Sequence, residues 1–114
     1  MTPIEQGKPP TGNAIVILGI PSDENSSFAT GAALAPDRIR EALHSEASNL
    51  WSETGHEISG ANGVRDAGNL QGIESKTGFE KITGTIQDLL AHNTRVIVLG
   101  GDHAVTFPVV RGYA

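Results

Sequence analysis

Two apolar runs limit the folds open to this chain. Ala14-Ile15-Val16-Ile17-Leu18-Gly19-Ile20 and Val96-Ile97-Val98-Leu99 are continuous rather than alternating, the pattern of strands buried on both faces in parallel sheets. They lie far apart with helical stretches between them, and parallel neighbours require crossover connections. The expected class is therefore α/β, a parallel sheet flanked by helices. At 114 residues, 38% hydrophobic and 18% charged, the chain has the makings of one packed domain. Aromatic residues make up only 4%, so the core must rest on Ile, Leu, Val and Ala. Residues 1–13 are polar and carry Pro3, Pro9, Pro10 and Gly12. They read as a flexible lead-in to a domain over 14–114.

The elements between the runs follow from local signals. Pro36 suits a first helical turn, where its missing N–H costs nothing, and Asp37 favours the positive end of the dipole. Ile39, Ala42 and Leu43 form a narrow apolar stripe, predicting a helix from Pro36 to about Ser45 that turns this stripe to the sheet. Trp51 is expected to cover a core edge. Glu57-Ile58-Ser59 and Val64–Leu70 are candidate short strands. Thr77 and Glu80 form a Thr-x-x-Glu capping box, followed by Phe79, Ile82, Ile86, Leu89 and Leu90 at helical spacing. Asn93 can take the left-handed conformation that ends such a helix. Thr106 and Pro108 open a third helix. The chain stops at Ala114, barely two turns in, and so reads as cut rather than finished.

Chemistry is expected beyond the carboxyl ends of the strands, where open α/β sheets collect their ligands. There Gly100 and Gly101 clear space, and Asp102 and His103 follow at once. Spacing alone leaves His103 open between a ligand and a structural loop histidine. The polar segment Ser22–Gly31 leaves the first run on the same edge. It is either an ordinary surface loop or a substrate-lining one, with Asp23, Ser26 and Ser27 as candidates. His44 and His92 fall near predicted helix ends, where a cation complements the dipole, and His56 falls in a loop. No pair of histidines has the i, i+4 metal spacing. Nucleophile-elbow and phosphate-loop motifs are missing from the sequence. A net charge of −5 without a basic block argues against nucleic acid. No run approaches the ~20 apolar residues of a membrane span, and no secretory signal is visible. With no cysteine, disulfides and thiolate metal sites are excluded, and a cytoplasmic setting is the default.

Several ordered motifs resemble a known family. Leu99-Gly100-Gly101-Asp102-His103-Ala104 through Val110 is similar to the Gly-Gly-Asp-His-Ser motif of the ureohydrolases: arginase, agmatinase, formiminoglutamase and guanidinobutyrase. Gly19-Ile20-Pro21-Ser22-Asp23 resembles the family's first strand and turn. Ser26-Ser27-Phe28 to Gly31-Ala32 and Ala35-Pro36-Asp37-Arg38-Ile39-Arg40 resemble its glycine loop and Gly-Pro-x-x-Ile-Arg helix start. Val64-Arg65-Asp66-Ala67-Gly68-Asn69 matches its short Asp-x-Gly strand.

The resemblance implies a three-layer α/β/α, arginase-like fold, here truncated after the Gly-Gly-Asp-His strand. It implies a manganese-dependent hydrolase of C–N bonds in linear amidines, acting on a small guanidino or formimino substrate. Two manganese ions would activate a hydroxide, and imidazole and carboxylate ligands suit that metal. His103 inherits the role of a ligand to one ion, with Gly100, Gly101 and Asp102 positioning the loop or the ring. Ala104 replaces the motif's serine, Ala35 its glycine, and Ala29 and Thr30 replace the Arg and Pro common in its loop. The family's Asp-Ala-His-x-Asp and Asp-x-Asp ligand strands do not occur in these 114 residues. The chain alone is therefore expected to hold no complete catalytic set, to bind manganese weakly and to be inactive. The rival expectations are a non-catalytic binding or assembly module, forming oligomers through an open sheet edge, and a nucleotide-binding half-domain.

Overall fold

The computed structural model describes residues 2–3, 14–23, 31–46, 48–58 and 64–114. Four parallel strands form one sheet: β1 (Thr2–Pro3), β2 (Ile15–Ile20), β3 (Arg65–Asn69) and β4 (Arg95–Gly100), in the spatial order β1-β3-β2-β4. Three α-helices connect or follow them: α1 (Ala35–Leu43), α2 (Gly78–Ala91) and α3 (Thr106–Tyr113). The sheet is parallel throughout, as the two continuous apolar runs require. Within the expected lead-in, Thr2–Pro3 is instead paired to Arg65 and Asp66 of β3; residues 4–13 lie outside the described set.

β2 is central and the most deeply buried strand. Leu18 and Ile20 meet Ile82 and Ile86 of α2, together with Ile73 and Val105, in the main core. Fully burying a side chain of this kind contributes roughly 1.5–3 kcal/mol. Val96 and Val98 of β4 add to the same face, so α2 and α3 form one layer. On the opposite face Pro36 of α1 lies against Gly19. The three layers are therefore α2/α3, sheet and α1. Thr83 donates its hydroxyl to the Pro108 carbonyl at 2.8 Å, locking α2 to α3. Among the described residues no helix is long and apolar enough to cross a membrane.

Local expectations are met in part. Asn93 has φ 57°, the left-handed turn expected after α2. Thr77 stands before α2, but its side chain makes no capping bond; its hydroxyl pairs with Ser75 at 2.9 Å instead. The stripe expected on α1 is rotated. Ile39 is 45% exposed and Ala42 is exposed, while Leu43, the third member of the stripe, is half-buried on the side of Pro36 and Arg40. Trp51 covers no core edge: it is 59% exposed. It sits in a small antiparallel hairpin opposite Glu57, closed by Ile58 N–H to Leu50 O and Ser52 N–H to His56 O, both at 2.8 Å. The pairing of Glu57 agrees with a strand-like stretch there, while Ser59 lies outside the described residues.

Candidate functional site

The carboxyl ends of β2, β3 and β4 share one edge of the parallel sheet. At that edge Gly101 passes directly over the backbone of Ser22. A Cβ on Gly101 would stand 1.8 Å from the Ser22 carbonyl oxygen, so only glycine fits without moving the chain. The next residue fixes the approach: Asp102 donates its N–H to that same oxygen at 2.8 Å. The Asp102 carboxylate accepts from the Ala104 N–H at 3.2 Å, capping a single 3-10 turn over His103–Val105. Val105 anchors the turn in the core.

This anchoring leaves His103 exposed, on the rim shared with Ser22. Its Nδ1 lies 3.5 Å from the Thr106 hydroxyl. An open cleft of about 450 Å³ runs beside it, lined by Val98, Gly100, Asp102, His103, Thr106 and Val109 among others. Asp23 lies one residue beyond Ser22, where its carboxylate accepts from the Gly31 N–H at 2.7 Å and closes the base of the β2–α1 loop. The fold thus brings Gly100, Gly101, Asp102, His103 and Asp23 to one edge. Ser26 and Ser27, the other two candidates in that loop, lie outside the described residues. His44 and His92 directly follow α1 and α2, and His56 occupies the hairpin turn. None of these three joins His103.

A second polar cluster was not singled out from the sequence. Arg40 reaches from α1 to β3, its Nε and Nη2 donating to the two carboxylate oxygens of Asp66 at 2.9 and 3.1 Å. Its Nη1 donates to Asn69 Oδ1 and, at 3.3 Å, to Asp37. Asn69 in turn donates its amide to Asp37 at 2.9 Å, and Asp66 accepts from the Gly68 N–H at 2.8 Å. Each group is satisfied by the others, which gives the cluster the character of a clamp between layers rather than of a reactive site. The clue was available: Arg40 ends one of the quoted motifs, and Asp66 and Asn69 belong to another.

A metal centre needs several donors converging on one point. Among the described residues no group of three or more His, Cys, Asp or Glu is placed to hold a metal ion. The rim offers one imidazole, His103, and two carboxylates, Asp102 and Asp23, each already engaged with a backbone amide. The described residues do not compose a dinuclear centre.

The model of the arginase family matches residues 13–114. The chain belongs to the arginase family. It is 34% identical over 103 residues to arginase 1, mitochondrial, from Oryza sativa subsp. indica, covering 83% of this chain and 30% of the rice protein. Agmatinase from Blochmanniella floridana is 31% identical over 107 residues, covering 90% of this chain and 35% of that protein. Among solved structures, arginase from Medicago truncatula superposes with a TM-score of 0.78 at 31% identity, over 89% of this chain and 34% of that one. Formimidoylglutamase from Bacillus subtilis has the same fold, with a TM-score of 0.78 at 24% identity, over 99% of this chain and 35% of its own. The arginase-family chain described here thus spans about a third of the length of these relatives.

Proposed function

We propose that this chain is the N-terminal part of a manganese-dependent ureohydrolase acting on a small guanidino or formimino compound. In that reading His103 supplies one imidazole to the metal centre, Asp102 and the two glycines set its position, and the remaining ligands come from polypeptide outside these 114 residues. The observation that carries the reading is the backbone bond from Asp102 to Ser22. It holds an exposed imidazole at the carboxyl edge of a parallel sheet, beside the loop that begins at Asp23. Family membership supports the hydrolytic class, and names as different as arginase and agmatinase among the relatives leave the substrate at the level of its chemical group.

The test is a manganese titration of the isotopically labelled chain, followed by paramagnetic broadening of its amide signals. Broadening is expected around residues 100–106, with weak affinity, and is lost in His103→Ala. Assays for urea release from arginine or agmatine by this chain alone are expected to be blank. Two tight stoichiometric sites, or broadening centred on Asp37 and Asp66, would overturn the assignment. A second reading is assembly without catalysis, its support being that among the described residues β4 has a neighbour on one side alone.

A further inference from the structure

β3 carries one residue more than β2 can match. Ile17 is in register with Asp66 and Gly19 with Asn69, so two steps along β2 answer three along β3. The surplus falls at Gly68, whose φ of 75° is a left-handed value that glycine adopts freely and asparagine tolerates. Asp66 braces this bulge, its carboxylate accepting from the Gly68 N–H at 2.8 Å. In a regular strand residues three apart face opposite ways. Here they agree twice. Asp66 and Asn69 both meet Arg40 on the α1 side, while Ala67 and Leu70 both pack on the core under α2 and α3. The bulge thus makes the receptor for the Arg40 fork.

Two links lead from this receptor to the rim. Asn69, held by Arg40 and Asp37, sets its Oδ1 in the space a Gly19 side chain would fill, and the Leu70 N–H donates to the Gly19 carbonyl at 2.8 Å. Only Ile20 and Pro21 separate Gly19 from Ser22. Ile20 is fully buried, proline fixes one torsion, and the Ser22 N–H closes the corner on the Ile20 carbonyl at 2.9 Å. The second link runs through α1. Asp37 stands in its first turn, and the 3-10 turn just before the helix follows Gly31, whose N–H is held by Asp23 at 2.7 Å. Ser22, whose carbonyl receives Asp102, is therefore flanked by two segments that both end on the Arg40 cluster.

We propose that Arg40 and Gly68 are positioning residues for the turn that carries His103. The bulge turns Asn69 to Arg40, and the clamp keeps the end of β2 at the height where the Ser22 carbonyl meets the Asp102 N–H. Every bond in this network joins described residues to one another. The proposal rests on the reading of this turn as the one that presents a ligand imidazole, but its test reads a backbone bond and needs no metal.

Native-state hydrogen exchange of the isotopically labelled chain is that test. The Asp102 amide reports the bond to Ser22, and the amide of Ile86, fully buried in α2, reports the global fold. Gly68→Ala and Arg40→Lys are each expected to speed exchange at Asp102 at least roughly tenfold more than at Ile86. Gly68→Asn is expected to restore wild-type exchange, because asparagine tolerates the backbone angle and a Cβ there meets open space. Ile82→Val, a core truncation outside the network, is expected to speed Ile86 and leave Asp102 unchanged. If one of Gly68→Ala and Arg40→Lys fails to fold, the other decides. Equal acceleration at Asp102 and Ile86 would overturn the proposal. So would an Arg40→Lys chain whose Asp102 amide exchanges no faster than wild type, or a Gly68→Asn chain no better protected than Gly68→Ala. The metal reading fails separately, by manganese broadening away from residues 100–106 in the wild-type chain.

Discussion

The amide of Asp102 and the carbonyl of Ser22, 2.8 Å apart, join the turn that carries His103 to the loop that leaves the central strand. The bond exists only because Gly101 lets the two backbones touch.

Gly101→Ala therefore tests the geometry of the edge. Its methyl group would fall 1.8 Å from a backbone oxygen, which cannot rotate away. The turn must lift off Ser22. We expect a loss of about 2–3 kcal/mol, seen as a melting midpoint lower by roughly 10 °C or more. Hydrogen exchange at the Asp102 amide should accelerate beyond what the global loss explains. A variant with unchanged midpoint and unchanged Asp102 protection would show that the contact is dispensable.

Arg40 and Asp66 form the bidentate pair that ties α1 to β3, with side chains only 16% and 19% exposed. Removing one partner leaves the other charged group poorly solvated, so Arg40→Ala is expected to cost roughly 2–4 kcal/mol. Arg40→Lys should recover little, because an ammonium cannot reproduce the two parallel bonds. Urea unfolding of both variants checks this. Full recovery by lysine would mean that charge alone, rather than the fork, holds the layers together.

Gly19 and Asn69 are predicted to be coupled. A Cβ on Gly19 would fall 2.0 Å from Asn69 Oδ1, the atom that accepts from Arg40. Gly19→Ala should destabilise the wild-type chain by about 1–3 kcal/mol, and distinctly less in an Asn69→Ala background. Additive losses in the double-mutant cycle would place the clash elsewhere, Pro36 being the other neighbour at 3.1 Å.

Trp51 is the one tryptophan of the chain, and it is 59% exposed. Its fluorescence should be red-shifted and readily quenched by iodide, and Trp51→Ala should change stability by no more than about 0.5 kcal/mol. A blue-shifted, protected emission would restore it to a core edge.

The strands were legible because their apolar runs are continuous, as in Ile15–Ile20 and Val96–Leu99; β2 is buried as its run predicts, whereas in β4 the expected burial on both faces fails at Ile97, which is 48% exposed. Asn93 was legible because few residues tolerate its backbone angles. The orientation of helix α1 is not legible: Ile39 and Ala42 have the spacing of an inward face, but Arg40 points in, because Asp66 and Asn69 pair with it on β3. A pairing across 26 and 29 residues leaves no mark in a local pattern. Thr77 illustrates the same limit at short range, its hydroxyl being taken by Ser75 rather than by the helix. At the candidate site the glycine pair and His103 could be found from the sequence. The Ser22 contact could not, because it joins two loops far apart in the chain.

The strand order β1-β3-β2-β4 also has a consequence for biosynthesis. β2 emerges from the ribosome before both of its partners, since Val16 waits for Arg65 on one side and Ile15 to Ile20 wait for Arg95 to Gly100 on the other. Until Gly100 has been translated, the most apolar strand of the molecule has no permanent neighbour on one flank. Nascent chains stalled short of that codon should therefore be the species most prone to capture by chaperones or to misassociation.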